Sequence, residues 1–176
     1  MIKLRACMLA LALGACASAG QAPGREPRFV RASEPATADY ADGVALALTP
    51  AAQEDYSQLR LVERAGYRTP LHVHPNTDET FFVVSGELTV FVGGELRNLG
   101  PGDFALIPRG TPHAQGNRTN AETVVVLTMA PGGFEGFFAA RAEIVRDTPP
   151  GHPEYGPRMM ALGELFDIDV LGPSPF

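Results

Sequence analysis

Two of the chain's four histidines stand within three residues of each other, in Pro70-Leu71-His72-Val73-His74, and a carboxylate follows at Glu79. On a strand, residues two apart project from the same face, so His72 and His74 present two imidazoles together while Leu71 and Val73 face the other way. The run from Glu79 to Val84 has a period of two that puts Glu79, Phe81 and Val83 on one face. The carboxylate can therefore enter the same interior from the neighbouring strand, with residues 75–78 as the bend. His113 is a fourth candidate, placed at the start of another strand by a turn built on Pro108, Gly110 and Pro112. Three imidazoles and one carboxylate suit a single divalent first-row transition ion, with positions left for water or substrate. Any one of these histidines alone reads more readily as a surface or hydrogen-bonded residue; their spacing favours the metal. The remaining one, His152, lies in a Pro- and Gly-rich stretch read as a surface loop and is given no ligand role.

Such side chains need short, well-placed strands. From about Val44 onward, apolar runs such as residues 59–63, 80–86, 88–94, 103–110 and 122–130 are separated by Gly, Pro, Asn and Asp. Runs of this length, rich in β-branched and aromatic residues, predict the strands of a sandwich or barrel. Gly93-Gly94 predicts a hairpin turn between Val92 and Glu95, and the Gly100-Pro101-Gly102 segment a further reversal, so consecutive strands should run antiparallel. Phe134, Phe137, Phe138 and Ile144 recur at helical spacing, and residues 158–172 could hold one more short helix. These helices are expected to pack over the open end of a barrel.

The chain's 176 residues fit one domain with a single core. Its 19 glycines and 16 prolines fit many turns rather than long helices. The formal net charge of −6 makes nucleic acid a poor partner. Lys3 is the only lysine, so a processed chain would lack an ε-amine for Schiff-base chemistry.

Residues 1–15 read as a signal peptide: a short basic start, then a ten-residue apolar run too short to span a bilayer. Leu13-Gly14-Ala15-Cys16 resembles a bacterial lipobox, in which Cys16 is lipidated and becomes the first residue; Ala17-Ser18-Ala19 offers an ordinary signal-peptidase site instead. The lipobox is the preferred reading. It implies export to the cell envelope or periplasm, a membrane anchor at Cys16, a tether over residues 16–43 and a folded domain over 44–176. Cys7 and Cys16 are the only cysteines, so no internal disulfide is expected.

The two motifs resemble those of the cupin superfamily. Gly66, His72, His74, Glu79 and Gly86 occupy every fixed position of its first motif, within residues 66–86. Gly102, Pro108, Gly110, His113 and Asn117 do the same for the second, within 102–117. The resemblance implies an all-β antiparallel jelly-roll barrel, with His72, His74, Glu79 and His113 as ligands of one divalent metal: iron, manganese, nickel, copper or zinc. Among cupins the chain is similar to the quercetin-dioxygenase-like group. That likeness implies a metal-dependent dioxygenase acting on a small enol or flavonol, with Glu79 also serving as the catalytic base. A metal-dependent isomerase or lyase and a non-catalytic small-molecule-binding cupin are the alternatives.

Candidate walls of the substrate pocket are Phe81, Val83, Leu88, Val90 and Leu106, with Gln115 as a polar contact sharing parity with His113. Phe82 and Val84 face outward and need a cover, and a homodimer, common among cupins, would supply it.

Overall fold

A computed structural model describes residues 27–51 and 55–176. The signal peptide expected over 1–15 and Cys16 lie outside the described residues. Among the described residues, no helix is long and apolar enough to cross a membrane.

Within the described residues, eleven strands and two helices follow one another as β1 (Ala38–Asp39), β2 (Gly43–Ala47), β3 (Ser57–Glu63), β4 (Leu71–Val73), β5 (Asp78–Ser85), β6 (Leu88–Val92), β7 (Glu95–Leu99), β8 (Phe104–Ile107), β9 (His113–Gly116), β10 (Thr123–Ala130), α1 (Glu135–Asp147), α2 (Tyr155–Leu165) and β11 (Asp169–Gly172). They form two antiparallel sheets, ordered β1-β2-β3-β10-β5-β8 and β11-β4-β9-β6-β7. This is the jelly-roll arrangement that the resemblance implies, built from the antiparallel strands that the sequence pattern predicts. The Gly93-Gly94 turn joins β6 to β7 with Val92 paired to Glu95, both glycines at positive φ.

Alternation decides which residues enter the interior. In β3 the inward set is Ser57, Leu59, Leu61 and Glu63, and in β10 it is Thr123, Val125, Leu127 and Met129. The apolar members meet Phe81, Val83, Leu88 and Val90 in one core. Each Leu or Phe side chain fully withdrawn from water there contributes roughly 1.5–3 kcal/mol.

Two boundaries differ from the sequence expectation. The folded unit begins before residue 44, because Ala38 and Asp39 pair with β2 and Tyr40 is completely buried. An Ala/Pro/Glu-rich stretch carries no period of its own, so a two-residue strand there gives no sequence signal. At the other end, residues 158–172 hold part of α2 and then β11, which pairs with β4 beside His72. As expected, α1 and α2 cover the barrel. α1 is fastened by polar groups: the Glu135 carboxylate accepts hydrogen bonds from the Thr49 hydroxyl at 2.6 Å and the Ser57 hydroxyl at 2.8 Å. Ser57 Oγ in turn accepts from the backbone N–H groups of Gly133 and Phe134. An inward-facing serine on a core strand thus seats the helix start.

Gly86 closes the turn after β5 at φ +80, with an added Cβ only 2.6 Å from the Glu122 carbonyl oxygen. Both the backbone conformation and the close approach demand glycine. Gly86→Ala is expected to lower unfolding free energy by at least ~2 kcal/mol, measured by urea denaturation; an unchanged midpoint would contradict this account.

Candidate metal centre

His72 on β4 pairs directly across the sheet with His113 on β9. His74 follows β4 by one residue, and Glu79 sits on β5, where it pairs with Met129 and Ile107. Glu79 therefore reaches the cluster from the facing sheet, not from a hydrogen-bonded neighbour of β4. The 75–78 bend carries the chain between sheets, so parity placed the carboxylate inward correctly but not its sheet. All four side chains are buried, and one ligand atom from each lies within 4.8 Å of the other three.

Each imidazole is oriented by a backbone carbonyl. The Nδ1–H of His72 donates to Pro70 O at 3.0 Å, that of His74 to Asp167 O at 2.8 Å, and that of His113 to Thr111 O at 2.9 Å. A carbonyl oxygen can only accept, so a proton belongs on Nδ1 in all three rings and each Nε2 is left for the interior, that of His113 donating to the Glu79 carboxylate. Second-motif residues tie the two motifs together: Gly110 N–H donates to His74 O at 2.8 Å, and Gly66 N–H to Asn117 O at 3.0 Å.

The electrostatics fit a cation. His72 is pushed down to about 4, chiefly by burial, and so stays neutral near neutral pH. Burial opposes the charged form of Glu79, yet the hydrogen bond from His113 and the three nearby imidazoles outweigh it and hold the carboxyl below its usual value. Burial likewise opposes charge on His113, and the Glu79 contact, at 2.6 Å between Nε2 and Oε2, raises it on balance. With both Nδ1 atoms and carbonyls committed, the Glu79–His113 contact is where a proton stands in for positive charge. The donor set of three imidazole nitrogens and one carboxylate oxygen could hold a divalent first-row ion.

A cavity of about 470 Å³ opens onto the cluster, bordered by His72, His74 and Glu79. Of the sequence-based wall candidates, Gln115 borders it. Phe81, Val83, Leu88 and Val90 instead fill the core, each at most 2% exposed. Leu106 is corrected more strongly: it pairs with Thr80 on the outer face and is 57% exposed, while Ile107 shares the inner face with Glu79. The walls come mainly from the C-terminal segment, through Phe134, Phe137, Phe138, Met159 and Ile168, together with Tyr67 and Arg141. Phe134 stands edge-on to His74, ring centroids 6.1 Å apart.

Sequence reasoning missed Asp167. This residue sits at φ +57, where its carbonyl takes the His74 proton and its carboxylate accepts from Asn76 N–H at 2.9 Å and the Thr77 hydroxyl at 2.7 Å. An aspartate just past a helix end is a common left-handed residue, and this was the one available signal.

Comparison with known proteins agrees with this geometry. Residues 60–130 match the family model described as "Cupin domain". The chain carries a cupin domain. It is 42% identical over 60 residues to a quercetin 2,3-dioxygenase of Bacillus subtilis, covering 34% of this chain and 18% of that protein. It is 38% identical over 72 residues to dimethylsulfoniopropionate lyase DddQ of Ruegeria pomeroyi, covering 40% of this chain and 34% of that one. The matched stretches thus span well under half of both relatives. Among solved structures, KdgF from Halomonas sp. superposes with a TM-score of 0.55 at 20% identity, covering 61% of this chain and 94% of that one, a likeness of fold.

If the cluster binds a single ion, His74→Ala should weaken metal affinity by more than the ~10–100-fold typical of an outer-shell partner while preserving the β-type circular dichroism. Elemental analysis after dialysis reads this; an unaltered metal content would refute the ligand set. Because the ion displaces the proton shared by Glu79 and His113, affinity should also fall as pH is lowered.

Proposed function

We propose that this cupin is a metal-dependent dioxygenase acting on a small enol of the flavonol or catechol type. The observation that carries the reading is the Glu79 carboxylate, buried among three imidazoles and bordering an aromatic-walled cavity. The match to a quercetin 2,3-dioxygenase supports it. A divalent transition ion bound by the cluster would supply Lewis acidity to an enol oxygen and, if redox-active, electron-transfer chemistry toward dioxygen. The chain's own residues do the rest. Glu79, held in its ionised form, accepts the enol proton and makes the substrate electron-rich. In the metal-free protein His113, 2.6 Å away, helps hold this carboxylate ionised. Phe134, Phe137 and Phe138 cover the site with apolar rings and limit water.

A lyase is the second reading, favoured by the match to dimethylsulfoniopropionate lyase DddQ. There Glu79 would remove a proton from carbon and no oxygen would be consumed. Oxygen uptake separates the two. With flavonols, catechols and other enols, the metal-loaded protein is expected to consume oxygen. Glu79→Gln should lower that rate per bound metal by about 100-fold or more. Equal metal-normalised rates would remove Glu79 as base, and no uptake with any enol would pass the reading to the lyase.

We further propose that the chain forms a homodimer. Phe82, Val84, Phe104 and Leu106, each 44–59% exposed, share the outer face of β5 and β8, with β8 at the sheet edge. A second copy laid on this face would withdraw the patch from water. Light scattering should give twice the chain mass, and Phe104→Glu should return it to one chain; a monomeric parent would refute the proposal.

A further inference from the structure

The inward face of β9 carries an amide that the metal centre does not use. His113 and Gln115 stand two apart on this strand, so both side chains point into the barrel, their Cα atoms about 7 Å apart. The next inward position, Asn117, is also an amide, and it is spent on structure. Its Nδ2 donates to Glu63 O at 2.9 Å and Ala121 O at 2.6 Å, while Oδ1 accepts from the Thr119 N–H at 3.0 Å and the Thr119 hydroxyl at 2.7 Å. The Gln115 side chain is only half spent.

Thr69 decides which half. Its hydroxyl accepts from the Gln115 N–H at 3.0 Å, so its own proton points elsewhere. Two acceptors are in reach, Gln115 Oε1 at 3.2 Å and Gln115 O at 3.3 Å, and the second already accepts from the Thr69 N–H at 2.9 Å. Gln115 Oε1 therefore takes the hydroxyl proton, which turns Nε2 away from Thr69.

That nitrogen opens onto the cavity. Among the described residues Nε2 donates to no protein group. It is also absent from the side-chain atoms sealed off without a partner, which are Tyr40 Oη, both Glu63 oxygens, Arg141 Nε and Ser174 Oγ. Gln115 is only 4% exposed and borders the space of about 470 Å³ that reaches His72, His74 and Glu79. What accessible surface it keeps is cavity surface. Two amide N–H groups thus face a ligand space walled elsewhere by the Phe134, Phe137 and Phe138 rings, which suit a flat aromatic body.

The neighbouring charges select the acceptor. Of the cations bordering the cavity, Arg141 is already held by the two Asp42 oxygens at 2.8 and 3.0 Å, and Arg68 is exposed. A carboxylate at Gln115 would be buried without a protein cation of its own, whereas a carbonyl oxygen needs only the donor.

We propose that Gln115, oriented by Thr69, is a specificity-determining residue that donates from Nε2 to a neutral carbonyl oxygen of the ligand. The assignment deepens the enol reading, on which the identity of the oxygen at the histidine cluster rests. The ligand then carries an enolic or phenolic oxygen at the cluster and a carbonyl oxygen about 7 Å away, one inward step along β9. Proton transfer stays with Glu79.

The test needs no turnover. The full chain, zinc-loaded and ¹⁵N-labelled, is titrated with 4-hydroxyacetophenone and with 4-isopropylphenol, in which a methyl replaces the carbonyl oxygen. The Gln115 side-chain amide pair, assigned by through-bond correlation, should move with the ketone. The ratio of the two affinities in the parent should exceed that in Gln115→Met by roughly three- to tenfold; comparing ratios cancels the difference in acidity between the two phenols. Thr69→Ser should keep the parent ratio, and Thr69→Val should lower it toward that of Gln115→Met. A stationary amide pair, equal ratios in parent and Gln115→Met, or 4-hydroxybenzoate moving the pair at lower concentration than the ketone would each overturn the assignment. The parent amide signal decides the matter should Gln115→Met fold poorly. A ratio lost in Gln115→Met without oxygen uptake from any enol keeps the assignment and rejects the dioxygenase; uptake with an unaltered ratio does the reverse.

Discussion

Three hydrogen bonds from imidazole Nδ1–H to backbone carbonyls govern the centre of this protein. Each removes one nitrogen from the interior and leaves the other facing its neighbours. Pro70 and Thr111 lie two residues before the histidines they orient, so those two bonds are local consequences of how β4 and β9 begin. The third, from His74 to Asp167, is long-range and makes the ligand face depend on the C-terminal segment. Once the three Nε2 atoms converge, Glu79 faces the His113 donor or a cation, and burial no longer suffices to neutralise it.

The same dependence explains why the cap is integral to the site. Ser57 and Thr49 hold Glu135, which sets the first turn of α1 and so the position of Phe134 against His74. A carboxylate at the start of a helix also complements the unpaired N–H groups there. After α2 the chain turns at Asp167, delivers its carbonyl to His74, and continues as β11 alongside β4. The sheet bearing two histidines is therefore extended by the segment that also covers the cavity. Loosening the cap would alter ligand orientation as well as access.

How much of this could be read in advance follows from the range of the interactions. His72, His74 and Glu79 were legible because period-two alternation is local and survives folding, and the Gly93-Gly94 turn because its backbone demand is local too. The sheet to which Glu79 belongs was not legible, since a four-residue bend does not state whether the chain returns to the same sheet. Leu106 failed as a wall residue because its face is fixed by pairing with Thr80, a register that apolar character alone does not reveal. Arg141 and Tyr67 were missed for a related reason. An arginine among alanines on a helix reads as a solvated position, and only the docking of α1 onto β1 and β3 encloses it. Glu63 shares the parity of Leu59 and Leu61, so alternation points it inward, but a carboxylate at a strand end reads as solvated and gives no sign that it is buried without a partner.

Glu63 and Glu79 show how one interior can hold identical side chains in different states. Both point inward from the six-stranded sheet, on β3 and β5, with β10 between them. Burial raises both carboxyls, and the neighbours decide the balance. Three imidazoles and a direct His113 contact bring Glu79 down. Burial is the largest cause at Glu63, the negative charges of Asp42 and Glu79 add to it, and an Arg141 already paired with Asp42 opposes it too weakly, so it goes up. The ionised form of Glu79 itself contributes to keeping Glu63 protonated. Neutralising Glu79 would relieve part of that constraint, so the two carboxyls titrate as linked groups, and any chemistry that moves a proton onto Glu79 is felt at Glu63.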